Sequence, residues 1–199
     1  GKRYLGAVRA ATNFAFANRQ VIGHMVTEVF NEIVKDVETN IMYDIGHNTI
    51  KEEWHKVGSS RHLALVHRKG STRNFAPRMS ELSKPYLMSG QPVIVGGSMG
   101  TSSYVMVGRE ESTEKTFSST VHGAGRAESR NSVKNQMDYD TLVHELAQKH
   151  IILKAKSREG ALEEAPSAYK DIEDVIQSIS KASLSNKVAR LRPIGVMKG

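Results

Sequence analysis

The sequence contains no cysteine, few aromatic residues and no long apolar run, and each absence excludes a class of protein. Without cysteine, the 199 residues can form neither a disulfide framework nor a thiolate metal site on their own. No stretch approaches the roughly 18 uninterrupted apolar residues that a membrane-spanning helix requires, and the first residues do not resemble a signal peptide. Aromatic residues make up 6% of the chain, so a base-stacking platform for single-stranded nucleic acid is not indicated. We therefore expect a soluble, intracellular protein.

The charge balance and the length bound the partners and the number of domains. The formal net charge is +7 and the pI is near 9.6, which favours polyanionic partners such as nucleic acid or nucleotides. A hydrophobic fraction of 39% in 199 residues suffices for one sizeable core but not for two. We therefore expect a single domain over residues 1–199. Gly1–Leu5 lead into a helical pattern without an initiator Met, so we expect the chain to continue a longer protein.

Apolar periodicity predicts a long N-terminal helix followed by mixed strands and helices. Apolar residues recur at spacings of three and four from Leu5 to Val37, which predicts a helix from about residue 3 to about residue 38, with a kink near Asn18. Apolar runs predict strands at 41–45, 63–66, 92–95 and 104–107, and extended segments at 151–154 and 188–197. Further helices are predicted at 129–134, 141–149 and 172–182, with Asp140 and Asp171 as N-caps. Because βαβ units do not alternate regularly, we predict an α+β or complex mixed α/β fold.

One glycine-rich segment combines a histidine with two arginines. It reads Val-His-Gly-Ala-Gly-Arg over residues 121–126, and Ser129 and Arg130 follow where a helix is predicted to begin. Small residues after His122 would let a phosphate approach the backbone, while a helix N-terminus and two guanidiniums would stabilise its charge. A neutral imidazole can attack phosphorus and form a phosphoramidate. The alternative interpretation is a glycine turn around an ordinary histidine, and the spacing alone favours that alternative.

A second run of small residues, 95–103, directly follows a predicted strand. Backbone amides and hydroxyls concentrated in this way can form an anion-binding concavity. The run lacks the Gly-Lys-Ser/Thr ending of a Walker A loop and the spacing of a GxGxxG fingerprint. A plain loop between strands explains the composition equally well.

Three further segments carry weaker signals. His47 and Asn48 come just after a predicted strand, and His47 could ligate a metal ion, although a divalent site needs three or more ligands. His67–Arg73 is a basic, hydroxyl-rich turn that could grip a phosphodiester backbone, and exposed charge explains it equally well. The chain ends in Lys198–Gly199. Because chain ends usually fray, composition gives a terminal lysine no role.

Taken together, these segments resemble the RtcB family of RNA-splicing ligases. The resemblance runs in order over essentially the whole chain and is carried by His47–Asn48, His67–Gly70, Gly96–Tyr104, His122–Arg126 with Ser129 and Arg130, Glu163–Pro166, and Lys198–Gly199. It implies the complex mixed fold of the RtcB type, with residues 1–199 as the C-terminal part of a larger catalytic domain.

The resemblance implies a reaction that uses GTP and manganese. A histidine attacks the α-phosphorus of GTP, the GMP passes to an RNA 3′-phosphate, and a 5′-hydroxyl then attacks; a 2′,3′-cyclic phosphate end is opened first. By this resemblance His122 would carry the GMP, His47 would be a manganese ligand and Asn48 would touch the GMP. Arg126 and Arg130 would lie on the RNA or triphosphate path. The remaining nucleotide-binding positions would be Gly96, Gly97, Ser98, Met99, Ser103, Gly123, Ala124, Gly125, Tyr169, facing the base, and Lys198, binding guanine.

The chain departs from the family by lacking an upstream segment. In family members that segment supplies an aspartate, a bridging cysteine and two histidines for two manganese ions, and an Asn-His-Phe stretch for the nucleotide. Of the expected metal ligands only His47 is present, so we expect the isolated 199 residues to be inactive or nearly so.

The resemblance also implies partners and a location. Its RNA substrates would be tRNA exon halves and broken RNA ends, in tRNA splicing and RNA repair. The resemblance further implies an archease activator and, in eukaryotes, a helicase-containing tRNA ligase complex. It implies a cytoplasmic location, which in eukaryotes is also nuclear, and no association with a membrane. Two other functions stay open on the residues alone: a noncatalytic RNA- or nucleotide-binding fragment, and a metal hydrolase that acts on cyclic phosphates.

Overall fold

The computed structural model describes residues 1–134 and 137–198. The chain forms two compact units, Gly1–Arg73 and Asn74–Gly199. Helices and strands are mixed in it, and a long helix comes first, which confirms the predicted α+β class. The assignment of residues 1–199 to one domain of a larger catalytic domain stays a prediction. Within the described part of the chain, no helix combines the length and the apolar content that crossing a bilayer requires.

The first unit consists of one long helix and a β-hairpin. Helix α1 spans Lys2–Ile33 without interruption, so the predicted helix is confirmed, although it ends before residue 38 and continues through Asn18. Strands β1 (Asn48–Val57) and β2 (Ser60–Lys69) pair antiparallel along their whole length, which confirms the strand predicted at 63–66. A short strand β3 (Ser71–Arg73) follows.

One strand prediction in the first unit is wrong, and strand β1 was not predicted. Residues 41–45 lie outside the strands, and the apolar side chains of Ile41 and Met42 are exposed, so an apolar run there does not mark a buried strand. The strand β1, which the pattern did not predict, begins at Asn48 and buries Thr49, Glu53 and His55. A search for apolar periodicity does not detect a strand whose inward positions are polar.

A buried ion pair stabilises this hairpin. Arg68 donates hydrogen bonds of 2.8 and 2.7 Å to the two carboxylate oxygens of Glu53, and the two side chains are 1% and 5% exposed. Burial by itself raises the pKa of Glu53. The hydrogen bonds with Arg68 and His55 and the charges of Arg68 and Arg73 outweigh burial and hold that pKa below its ordinary value. Glu53 is therefore an ionised partner of Arg68 at neutral pH.

The second unit contains five α-helices, two 3₁₀-helices (Lys84–Tyr86 and Pro166–Ala168) and six strands among its described residues. Helices α2 to α6 span Glu110–Thr116, Arg130–Lys134, Tyr139–Gln148, Arg158–Glu163 and Ile172–Lys181. Strands β4 to β9 span Pro92–Val95, Ser103–Gly108, Ser119–Val121, Ile152–Ala155, Ser185–Leu191 and Gly195–Lys198. The predicted helices correspond to α3, α4 and α6, and the predicted strands and extended segments to β4, β5, β7, and β8 with β9. Helices α2 and α5 and strand β6 were not predicted.

Strands β4, β5 and β8 form an antiparallel sheet with β5 in the centre. Strand β5 buries every second residue, Tyr104 and Met106 among them, as expected for a strand with one face in the core. Helix α6 begins at its N-cap Asp171, whose side chain accepts from the Glu173 amide at 2.7 Å, and this confirms the predicted cap. The predicted cap of α4 is wrong: Asp138, rather than Asp140, accepts from the Thr141 amide at 2.9 Å.

A core cluster of buried residues packs α4 and α5 against the second glycine-rich run. Its buried members are Met99, Val133, Leu142, Leu146, Ile151, Ala161, Ala165 and Ala168, and the half-buried Tyr169 and Val196 pack against it. Strand β9, which carries Val196, pairs in parallel with β7, so that Lys198 lies opposite Ala155. The Lys156 amide also donates to the Lys198 carbonyl at 2.9 Å. Lys198 is therefore held in a strand rather than frayed, whereas Gly199 lies outside the described residues.

Candidate functional site

The two glycine-rich segments lie side by side in the second unit. Gly96 and Gly123 form a parallel bridge, in which the Gly96 amide donates to the His122 carbonyl at 3.2 Å and the Ala124 amide donates to the Gly96 carbonyl at 2.8 Å. A Cβ atom on Gly123 would lie 2.9 Å from the Gly96 carbonyl oxygen, so this approach requires glycine. The main chain of His122 is thereby fixed next to the other segment.

The second run folds into a compact loop. The Gly97 amide donates to the Ser103 hydroxyl at 3.2 Å, and the Ser98 amide donates to the Thr101 hydroxyl at 2.7 Å. A Cβ atom on Gly97 would lie 2.1 Å from the Ser102 carbonyl oxygen, which no side chain tolerates. The hydroxyls of Ser103 and Thr101 therefore stabilise the loop. Glycine at position 97 allows the two backbone segments of the loop to approach each other closely.

A cavity of about 360 Å³ opens beside this loop. Its volume lies within the range of small-molecule sites, about 300–1,000 Å³. Residues that the resemblance assigns to the nucleotide line it, namely Gly97, Ser98, Met99, Ser103, Tyr169 and Lys198, and Glu164 joins them. The structure thus brings together positions that are as far apart in the sequence as Gly97 and Lys198.

The histidine-bearing turn lies next to this cavity rather than among its lining residues. His122 and Gly123 are half-buried and Ala124 is buried. Gly125 adopts a left-handed φ of +72°, and a Cβ atom there would meet nothing within 4 Å. The link between the turn and the cavity is the bridge through Gly96, whose neighbour Gly97 is a lining residue.

Glu164 lies at the centre of a charged cluster in the cavity wall. The Tyr169 hydroxyl donates a short hydrogen bond to Glu164 Oε2, and Lys198 Nζ lies 3.7 Å from the same oxygen. Arg126 Nη1 lies 3.3 Å from Glu164 Oε1. Burial raises the pKa of Tyr169, and the hydrogen bond to Glu164 raises it further. Glu164 had no predicted role of its own, because it entered only as part of Glu163–Pro166, one of the segments that carry the resemblance.

The two predicted RNA-path arginines differ in their surroundings. Arg126 donates to the Glu128 carbonyl at 3.1 Å and to the Glu163 carbonyl at 2.8 Å, and its guanidinium carbon lies 5.2 Å from the centre of the Tyr169 ring. Arg130 lies 3.6 Å from the Glu163 carboxylate, and its side chain is 65% exposed. Arg126 is therefore held by protein acceptors, while Arg130 is accessible to a partner.

His47 and Asn48 belong to the first unit, at the base of its hairpin. The Gly70 amide donates to the His47 carbonyl at 2.9 Å and lies 3.4 Å from the Asn48 side-chain oxygen. Across residues 1–134 and 137–198, no group of three or more His, Asp or Glu side chains is placed to hold a metal ion. His47 by itself does not make a divalent site, so the residues that the structure describes do not fit a manganese ion on their own. Its role as a manganese ligand stays a prediction.

The second unit is thus a mixed α+β structure with a cavity that lies beside a glycine-rich loop and is linked through Gly96 to a histidine-bearing turn. The family model described as tRNA-splicing ligase RtcB matches residues 1–199. The chain is 46% identical over 203 residues to the tRNA-splicing ligase RtcB of Thermococcus kodakarensis, covering 100% of this chain and 42% of that protein. It is 45% identical over 204 residues to the protein of the same name from Pyrococcus horikoshii, covering 100% of this chain and 23% of that protein. The chain belongs to the tRNA-splicing ligase RtcB family and spans less than half the length of these relatives.

Proposed function

We propose that this chain forms the nucleotide-binding part of an RNA ligase that works in tRNA splicing and RNA repair. The ligase joins RNA 3′-phosphate or 2′,3′-cyclic phosphate ends to 5′-hydroxyl ends through a GMP-histidine intermediate on His122. One observation carries the proposal: the bridge between Gly96 and Gly123 joins the backbone of the His122 turn to the loop whose residues, with Tyr169 and Lys198, line a cavity. Membership of the family supports RNA as the substrate.

The first step is the transfer of GMP to the protein. A ring nitrogen of His122 attacks the α-phosphorus of GTP, a nitrogen–phosphorus bond forms, the bond to the β-phosphate oxygen breaks, and pyrophosphate leaves. The attack uses the lone pair of a ring nitrogen, so the nucleophile is the neutral form of the imidazole. The ammonium of Lys198 would donate to the guanine carbonyl oxygen, and the ring of Tyr169 would face the base.

Two further transfers join the RNA ends. A 3′-phosphate oxygen of the RNA attacks the α-phosphorus, the nitrogen–phosphorus bond breaks, and His122 is released. The 5′-hydroxyl of the second strand then attacks the activated 3′-phosphate, and GMP leaves. Arg126 and Arg130 would lie on the RNA path, and the exposure of Arg130 supports a phosphate contact. The net charge of +7 also favours binding to the phosphates of RNA.

Manganese and the partner proteins enter the proposal through the family and concern the longer protein. His47 is the metal ligand that this chain would contribute, and no step above depends on a metal ion. Because the chain spans 42% and 23% of two relatives, we expect the isolated 199 residues to be inactive or nearly so. The same proposal includes an archease activator and, in eukaryotes, a helicase-containing complex. It also includes a cytoplasmic location, which in eukaryotes extends to the nucleus.

The nucleophile is tested by labelling the longer protein that contains these residues. With α-labelled GTP and manganese, the wild-type protein should acquire an acid-labile, alkali-stable label, and His122→Ala should acquire none. His144→Ala is the matched control, because His144 is exposed on α4 and pairs with Gln148 at 2.9 Å, so its label should be unchanged. A label that survives His122→Ala would contradict the assignment.

A second candidate is a noncatalytic RNA- or nucleotide-binding piece. It is favoured by the lack of a metal-ligand set among the described residues. RNA strands with 3′-phosphate, cyclic-phosphate and 5′-hydroxyl ends separate the candidates. Joined product from the longer protein supports the ligase, binding without any product supports the binding piece, and opened cyclic phosphate without joining supports a metal hydrolase.

A further inference from the structure

We propose that Glu164 is a positioning residue of the nucleotide pocket, which holds the Lys198 ammonium and the Tyr169 ring in the orientation that a guanine base requires. The inference rests on the proposed function, because Lys198 and Tyr169 need orienting only if a nucleotide binds between them. It adds a residue that acts through its neighbours and does not itself touch the base.

The two oxygens of the Glu164 carboxylate have separate partners. Oε2 accepts the hydrogen bond of the Tyr169 hydroxyl and faces Lys198 Nζ at 3.7 Å. Oε1 faces Arg126 Nη1 at 3.3 Å and Arg130 Nε at 3.8 Å. One carboxylate therefore connects the base end of the pocket to the arginines of the proposed RNA path, and the side chain is only 24% exposed, so these contacts are screened less than surface pairs.

The backbone of Glu164 is itself firmly placed. Glu164 is the C-cap of α5, and its amide donates to the Ala161 carbonyl at 3.1 Å. Ala161, Ala165 and Ala168, which flank it, are fully buried members of the core cluster. A carboxylate on such a support has few alternative positions and can serve as a fixed anchor for flexible partners.

Lys198 is the partner of Glu164 whose flexible side chain most requires a fixed contact. Its four-carbon side chain has many rotamers, and it stands in the last described strand, next to the chain end. A partner that holds the ammonium before the nucleotide arrives reduces the ordering cost on binding. Tyr169 is fixed in the same way, with Glu164 at its hydroxyl and Arg126 over its ring. Since both Glu164 oxygens already have partners, a direct contact with the base is not the role we infer.

The test uses the longer protein and measures the GTP dependence of His122 labelling. Glu164→Gln keeps the shape of the side chain and removes its charge. We expect the KM for GTP to rise about tenfold, because a charged hydrogen bond is lost, while the maximum labelling rate stays within about twofold of the wild-type rate. Glu164→Asp keeps the charge with a shorter reach and should give an intermediate KM. Glu159→Gln is the matched control, because Glu159 is an exposed acid in the first turn of the same helix and is not a lining residue of the cavity. Its KM should stay near that of the wild type.

A double-mutant cycle shows whether Glu164 acts through Lys198. Lys198→Gln should also raise the KM, and the double variant should raise it by clearly less than the product of the two single effects. A full product would mean that Glu164 reads the base independently, and an unchanged KM or a loss confined to the maximum rate would equally overturn the inference. If Glu164→Gln does not fold, Glu164→Asp takes its place in the cycle. A wild-type protein that acquires no label overturns the proposed function instead.

Discussion

Replacing Gly97 by alanine tests the close packing of the loop that forms one wall of the cavity. The new Cβ atom would lie 2.1 Å from the Ser102 carbonyl oxygen and 2.6 Å from the Thr101 hydroxyl oxygen, where ordinary contact begins at 3.4 Å. Because the first of these atoms belongs to the backbone, the loop must shift by roughly 1 Å. Overpacking of this kind costs about 1–3 kcal/mol.

Gly96→Ala is a matched control for this variant. Its Cβ atom would meet only the His122 carbonyl oxygen, at 4.0 Å, and its φ lies outside the left-handed region. The change should therefore alter the free energy of unfolding by no more than about 0.5 kcal/mol, and the reduced freedom of the unfolded chain acts in the stabilising direction.

The assay is guanidinium unfolding of the longer protein, followed by far-UV circular dichroism. Gly97→Ala should lower the unfolding midpoint by an amount equivalent to about 1–3 kcal/mol at an unchanged slope, whereas Gly96→Ala should leave it near the wild-type value. If the two variants are equally stable, the loop is not packed as the distances require, and the account of the cavity wall fails.

The remaining stability predictions concern the hairpin and α4. Glu53→Gln should destabilise the protein by about 3–5 kcal/mol at neutral pH, because it leaves Arg68 buried without its anionic partner. Since the folded pKa of Glu53 is lowered, the stabilisation is complete above the ordinary glutamate pKa of about 4.3 and is lost as the pH falls through the lower folded value. Denaturation midpoints measured across acid pH should therefore converge for the variant and the wild type. A constant difference between them would contradict this. Asp138→Ala should lower the unfolding midpoint through the lost N-cap of α4, and Asp140→Ala should lower it clearly less. A reversed order would restore Asp140 as the cap.

The elements that the sequence predicted are those whose apolar residues follow a local pattern along the chain. Helix α1 has apolar residues at helical spacing, and β4 and β5 are short apolar runs within one sheet. Strand β1 was missed because its buried positions hold Thr49, Glu53 and His55, whose burial depends on partners such as Arg68 on the next strand. Burial of a charge is decided by a pairing that apolar periodicity does not record.

In the candidate site too, local patterns could be predicted from the sequence and long-range contacts could not. The glycine-rich segments and His122 were visible because each is a local pattern of unusual residues. Their meeting through Gly96 and Gly123 is a long-range contact, which local spacing does not determine. Glu164 was missed for a similar reason, because its role depends on Tyr169 nearby and on Lys198 at the far end of the chain.

The central claim is that His122 carries GMP beside the cavity of the second unit, and locating the GMP by peptide mass spectrometry tests it most directly. The longer protein is incubated with GTP and manganese, digested under alkaline conditions and sequenced by fragmentation. The account predicts GMP on the peptide that contains His122, attached to that ring, and its loss when RNA with a 3′-phosphate end is added. GMP attached to a lysine or to another histidine would contradict the account.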